Sequence, residues 1–133
     1  MEEEINTKLG LIVAVNNFGY IGLDGKIPWY CREDLKHFKA LTLNQSLMVG
    51  RTTFEQLPPL RDREIIVVGQ GYHTLDEALA LKPDWVIGGA KLYTSTIHLC
   101  DEIHVSRINN DLIGDTIFTI PEDYKGKIFE YKF

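Results

Sequence analysis

One carboxylate in this chain has distinctive neighbours. Asp34 lies beside Leu35 and close to Phe38, just after Pro28-Trp29 and a run in which Gly19, Gly22 and Gly25 recur every third residue. Glycine reaches positive φ without steric penalty, so such a run can turn sharply and approach a ligand closely. Pro28 fixes its own φ and biases Ile27 toward an extended backbone. Asp34, Leu35, Phe38 and Leu41 follow helical spacing, which sets the acid at the edge of an apolar stripe. An acid in a first helical turn also suits the helix dipole, and Glu33 has that property as well. A turning loop, a Trp and a single acid beside Leu35 and Phe38 together describe an apolar cleft with one polar handle. A flat, polar heterocycle fits such a cleft.

A second set of residues has the chemistry of phosphate binding. Gly50-Arg51-Thr52-Thr53, Gly69-Gln70-Gly71 and Gly88-Gly89-Ala90 each follow a short apolar run. Free amides at a helix start attract phosphate, and Arg51 adds a charged fork. Any one of these clusters is more simply an ordinary strand-to-helix turn; three in one chain suit a ligand with several phosphates, such as a dinucleotide. The Rossmann fingerprint is missing, because Thr74 stands where the third glycine after Gly69 and Gly71 belongs. No metal is expected: His98, Cys100 and His104 match no common zinc spacing. Cys31 has no recognisable base partner and is not read as a nucleophile.

The elements that must position these groups alternate. Residues 9–15 form a nearly continuous apolar run, as in a strand covered on both faces. A helix follows over 32–43, then a strand over 46–49 and a helix over 51–57 that Pro58-Pro59 stops. Residues 64–68 read as a strand. Thr74 and Glu77 make a capping box that opens a helix through residue 81. A strand over 85–87, a helix over 90–99 and an amphipathic strand over 102–108 come next, and 127–133 alternate as a final antiparallel strand. This order predicts an α/β fold with a mostly parallel central sheet. In an open parallel sheet ligands bind beyond the carboxyl ends of the strands, which is where the glycine clusters fall.

The chain has 133 residues, 44% hydrophobic and 25% charged, with net charge −5. That size predicts one domain over residues 1–133. The negative charge argues against nonspecific nucleic-acid binding, and no apolar run is long enough to cross a membrane. The acidic start, Met1-Glu2-Glu3-Glu4, lacks the order of a signal peptide, and two cysteines do not make a disulfide scaffold. A cytoplasmic setting is expected.

Several motifs together resemble the dihydrofolate reductase family. They are Ile21-Gly22, Ile27-Pro28-Trp29, Asp34-Leu35-Lys36-His37-Phe38-Lys39, Met48-Val49-Gly50-Arg51-Thr52-Thr53-Phe54-Glu55, Val86-Ile87-Gly88-Gly89-Ala90-Lys91-Leu92-Tyr93 and Gly114-Asp115-Thr116-Ile117-Phe118, in the family's order over residues 9–118. The resemblance implies a three-layer α/β fold, with antiparallel C-terminal strands on the mostly parallel sheet and flanking helices. It implies NADPH-dependent reduction of 7,8-dihydrofolate to tetrahydrofolate, a step of one-carbon metabolism, and binding of antifolate inhibitors. A monomer is expected rather than a homodimer.

By the same resemblance Asp34, Trp29, Tyr93 and Ser106 are catalytic. Ile12, Ile27, Leu35, Phe38, Leu57, Leu60, Arg63 and Ser106 join Asp34 in binding substrate. Arg61 rivals Arg63 as the clamp on the folate tail, and a salt bridge from Arg63 to Asp62 or Glu64 is the plainer alternative. Ala14, Ile21, Gly22, Gly50, Arg51, Thr52, Thr53, Gly69, Gln70, Ile87, Gly88, Gly89, Ala90, Lys91, Leu92 and Tyr93 line the cofactor groove. The sequence departs from the family's pattern at Ser106, which replaces a more usual Thr, and at Ile27, where bacterial members often have Met. It departs again at Gln70, where a basic residue is common, and in having room for only one strand after residue 121. Two rivals carry different functions: a pyrimidine reductase of the riboflavin type on the same fold, and a non-enzymatic folate-binding or structural module.

Overall fold

The structure is a computed structural model and describes residues 8–22, 27 and 29–133. Gly25 and Pro28, which carry part of the loop argument, lie outside the described residues.

Six strands form the central sheet: β1 (Gly10–Val15), β3 (Ser46–Gly50), β4 (Glu64–Val68), β5 (Trp85–Val86), β6 (Glu102–Arg107) and β8 (Lys127–Lys132), in the order β4-β3-β5-β1-β6-β8. All five pairings within it are parallel. A separate antiparallel pair joins β2 (Tyr20–Gly22) to β7 (Thr116–Ile117). The helices are α1 (Arg32–Thr42), α2 (Arg51–Phe54), α3 (Leu75–Ala80) and α4 (Ala90–Thr96), the last continued by a 3-10 turn over Ile97–Leu99.

Both faces of the sheet are covered, as the apolar run of β1 requires. Leu11, Val13, Met48, Ile66, Val86, Ile103 and Val105 pack on one face against Ala78 of α3 and Leu92, Tyr93 and Ile97 of the α4 region. Ile12, Leu47 and Trp85 point to the other face, where Phe38 and Leu41 of α1 cover them. The strands are crossed closely at one place: a Cβ on Gly10 would come within 2.4 Å of the Trp85 ring. That contact explains a glycine at the entry of a buried strand.

The structure corrects several expectations. The last strand, β8, was expected to be antiparallel; it runs parallel to β6, with Lys127 to Lys132 in register beside Glu102 to Arg107. Antiparallel pairing at the C-terminal side occurs in β7 instead, on β2. Alternation along a strand reports which faces its side chains take, and is the same whichever way the chain runs. The helix expected over 51–57 is helical only through Phe54, after which turns carry the chain into Pro58-Pro59. The capping box stands as expected: Thr74 Oγ1 accepts from the Glu77 amide at 3.1 Å, and the Thr74 amide donates to Glu77 Oε1 at 2.8 Å.

Candidate active site

The carboxyl ends of β3, β4 and β5 meet through their glycine turns, and α1 covers the face of the sheet that carries Ile12. Ile12 and Ala14 lie on β1, one pleat apart, and Ser106 stands directly beside Ala14 on β6. Asp34 is the third residue of α1 and is half-buried; Phe38, one turn on, packs against Ile12 and Trp85. Leu35 is more open than a cleft wall, at 51% exposure, and Ile27 is also exposed. Trp29 is half-buried just before the helix. Ser106 is buried and makes no hydrogen bond to Asp34 among the described residues.

Tyr93 connects the two halves of the region. Its buried hydroxyl donates to the Ile12 carbonyl at 2.7 Å. Burial, and then the charge of Asp34, push its pKa upward, so the hydroxyl stays protonated and remains a donor. The ring packs edge-on against Phe118, 5.3 Å away. Phe118 follows β7, which is held by the Asp115 amide donating to the Gly22 carbonyl at 2.9 Å. The motif 114–118 thus closes onto Ile21 and Gly22. Ile21, Ala90, Tyr93 and Phe118 line part of a cavity of about 180 Å³ beside α4.

The glycine turns at the three strand ends pack against one another. The Gly50 amide donates to the Gly88 carbonyl at 2.7 Å, and the peptide between Gly88 and Gly89 is cis. A Cβ on Gly89 would lie 2.8 Å from Thr53 Oγ1, and one on Gly69 would lie 2.8 Å from the Arg51 Cβ. Gly88 has φ +123°, which a side chain rarely tolerates. Gln70 is exposed at the end of β4, and Ile87 is half-buried beside Gly88. Arg51 and Thr52 are exposed at the start of α2, with the Arg51 guanidinium 3.3 Å from Glu55. Lys91 is exposed, whereas the Leu92 side chain faces the core and offers the groove only its backbone.

Leu57 and Leu60 line an apolar cavity of about 280 Å³ with Phe54, Pro58, Pro59 and Ile65. Arg63 is fixed beside it. Its Nη1 donates to Thr42 Oγ1 at 3.2 Å, its Nε donates to the Arg61 carbonyl at 2.9 Å, and its guanidinium lies 5.9 Å from the centre of the Phe38 ring. The salt bridge to Asp62 or Glu64 does not form; Glu64 accepts from Ser46 Oγ instead. Arg61 is exposed. Thr42 was not foreseen as part of this arrangement, since nothing local links the end of α1 to a residue 21 positions later.

The sequence model of the dihydrofolate reductase family matches residues 8–130. The chain belongs to that family. The type 3 dihydrofolate reductase of Salmonella typhimurium is 37% identical to it over 125 residues, covering 83% of this chain and 77% of the relative. The type 15 dihydrofolate reductase of Escherichia coli is 38% identical over 135 residues, covering 89% and 86%. A solved dihydrofolate reductase from Enterococcus faecalis, complexed with NADP(H) and RAB-propyl, superposes with a TM-score of 0.77 at 32% identity, covering 87% of this chain and 79% of that one.

Cys100 and His104 are both packed inside the fold, whereas His98 is exposed. Burial, with a further push from Asp101, raises the Cys100 thiol to about 12, so it stays protonated and inert. His104 Nδ1 lies 2.9 Å from the Tyr131 hydroxyl and its Nε2 lies 3.0 Å from Glu102.

Proposed function

We propose that this chain reduces 7,8-dihydrofolate to 5,6,7,8-tetrahydrofolate with NADPH, and that Asp34 is the residue on which the substrate turns. The observation that carries this reading is the placement of Asp34: a half-buried acid on α1, one turn before Phe38, which packs on the face of the sheet that carries Ile12. A pyrimidine reductase of the same fold needs no acid at that place.

The protein's own groups divide the work. Asp34 accepts hydrogen bonds from the amino group and ring nitrogen of the pterin and favours a proton at N5. Ile12 and Phe38 wall the ring, while Leu57 and Leu60 wall the folate tail. Arg63 is the better clamp for the tail carboxylate, because Thr42 and the Arg61 carbonyl pre-orient its fork. Trp29 helps order water near the proton-accepting end. Ser106 holds the sheet side of the acid's pocket.

The residues at the strand ends fit NADPH. The cradle of Gly50, Gly69, Gly88 and Gly89 has no room for side chains at Gly69 and Gly89. Such close backbone approach suits a pyrophosphate, and Arg51, Thr52 and Thr53 suit the 2′-phosphate. Ala14, Ile21 and Tyr93 stand where the nicotinamide end would rest. When bound, the cofactor supplies the hydride; the chain supplies alignment and exclusion of water.

The test is the loss of NADPH absorbance on adding dihydrofolate, with Asp34→Asn and Glu33→Gln as variants. Asn keeps the size of the side chain without its charge, so turnover near neutral pH should fall by about 10²-fold or more. NADPH binding should be nearly unchanged, and part of the activity should return in acid. Glu33→Gln should change little. Normal turnover by Asp34→Asn would place the acid elsewhere, and an inactive parent that still binds NADPH would favour the non-enzymatic module. Antifolate binding, a monomeric state and a cytoplasmic setting belong to the same proposal.

A further inference from the structure

Next to Asp34 lies a partly buried polar cluster that the reaction as described does not use. His37 sits one helical turn after Asp34 on α1. Its ring lies 4.0 Å from Tyr131 and 5.7 Å from Phe133, between the helix and β8. From Tyr131 the contacts run on through His104 to Glu102, and Glu102 Oε2 lies 3.2 Å from Lys8 at the surface. Phe129 stacks on His104 at 4.6 Å and Trp85 meets it edge-on at 5.1 Å. The cluster lies on the same face of the sheet as Ile12 and next to it: His104 is the register partner of Ile12, and Tyr131 is the register partner of Ser106, and partners in register share a face.

His37 is poorly suited to a purely packing role. Its Nε2 is buried and has no hydrogen-bond partner among the described residues. Leaving such an atom unpaired is costly, and a phenyl ring of similar size would avoid that cost. A titratable ring one turn from an acid couples to it: the carboxylate favours a proton on the ring, and a proton on the ring favours the carboxylate.

We propose that His37 is a positioning residue for Asp34, and that its protonation is linked to the binding of the pterin there. This rests on the reading of Asp34 as the pterin-binding acid. The groups that face His37 are Asp34 on its own helix, His104 with Glu102 behind it on β6, and Tyr131 on β8; Phe133 contributes a neutral ring. Burial lowers the affinity of His37 for a proton, Asp34 raises it and His104 lowers it further. When the pterin's donors satisfy the Asp34 carboxylate, the support for a proton on His37 is withdrawn, and the ring returns to its neutral form. By the same linkage, the proton that stabilises a charged Asp34 in the free protein is released as the pterin binds, so protonating His37 weakens pterin binding.

The ring signals of the four histidines can be titrated by NMR in the parent, with His37 assigned from His37→Phe. The His37 midpoint should move to lower pH in Asp34→Asn, and also in the parent saturated with folate, while His73 and His98 stay in place. An unchanged His37 midpoint in both cases overturns the proposal, and it does so whether or not the protein turns over dihydrofolate. Activity provides the second arm. In His37→Phe the ratio of kcat/KM at pH 5.5 to that at pH 7.5 should differ from the parent's by about threefold or more, the scale for two charges a helical turn apart in a partly exposed setting. His37→Gln, polar but uncharged, should behave like the Phe variant. A parent-like profile in either variant would show that the ring's charge has no part in the reaction. Absence of turnover in the parent would instead refute the functional reading and leave the NMR arm to decide the coupling.

Discussion

Replacing Tyr93 by Phe removes one oxygen and tests the join between the two halves of the site. The pairing of β1 with β5 ends at Leu11 and Val86, and the Tyr93 hydroxyl takes the Ile12 carbonyl beyond that point at 2.7 Å. The hydroxyl is buried in the protein core, so water cannot easily replace it. Leaving a buried acceptor without its donor costs about 1–3 kcal/mol. For a domain of this size each kcal/mol moves the thermal midpoint by about 4 °C, so Tyr93→Phe should melt about 4–12 °C below the parent. Circular dichroism melts at equal concentration read this directly. Tyr30→Phe is the control, because Tyr30 is 78% exposed, and its midpoint should hold. Turnover should fall as well if Ile12, whose carbonyl the hydroxyl fixes, walls the pterin as proposed. A Tyr93→Phe midpoint within about 1 °C of the parent would mean that the hydroxyl neither closes the sheet end nor fixes Ile12.

Arg51→Ala should narrow the preference for NADPH over NADH, mostly through the KM for NADPH; equal use of both cofactors by the parent would refute the assignment of Arg51 to the 2′-phosphate. A milder version is Glu55→Gln, which frees Arg51 from its partner and should lower the KM for NADPH without altering that for NADH. The hydrogen bonds from Thr74 hold Glu77 below the ordinary carboxylate range, the backbone bond foremost. A carboxylate whose pKa is depressed by folding stabilises the fold above its unfolded pKa and loses that contribution as pH falls through the folded one. The gap in melting temperature between the parent and Glu77→Ala should therefore be open at pH 7 and close in strong acid; a gap that did not depend on pH would assign the effect to helix propensity instead of the capping box.

Much of this fold was legible one segment at a time. The run of residues 9–15 marked a strand buried on both faces, and β1 is that strand. Thr74 and Glu77 announced the start of α3, because a capping box closes within four residues. Asp34 could be placed on the edge of an apolar helix stripe, and the glycine clusters at strand ends, because spacing along a single element determines those positions. What spacing leaves open is which distant segment arrives beside them. The alternation of residues 127–133 showed a strand but not its direction, and only its lateral partner β6 made it parallel. Sequence named Arg63 with Arg61 as a rival, and it could not show that Thr42 and Phe38 would hold the Arg63 side chain. The pairing of β2 with β7 unites residues almost a hundred positions apart. His37 gave no signal beyond its type, because its meaning depends on Tyr131 and His104, which chain closure alone brings to its side. Local backbone preference acts over a few residues and is written in order along the chain. Packing chooses among distant partners by the burial and hydrogen bonding of the whole, and that choice exists only once the chain has closed on itself.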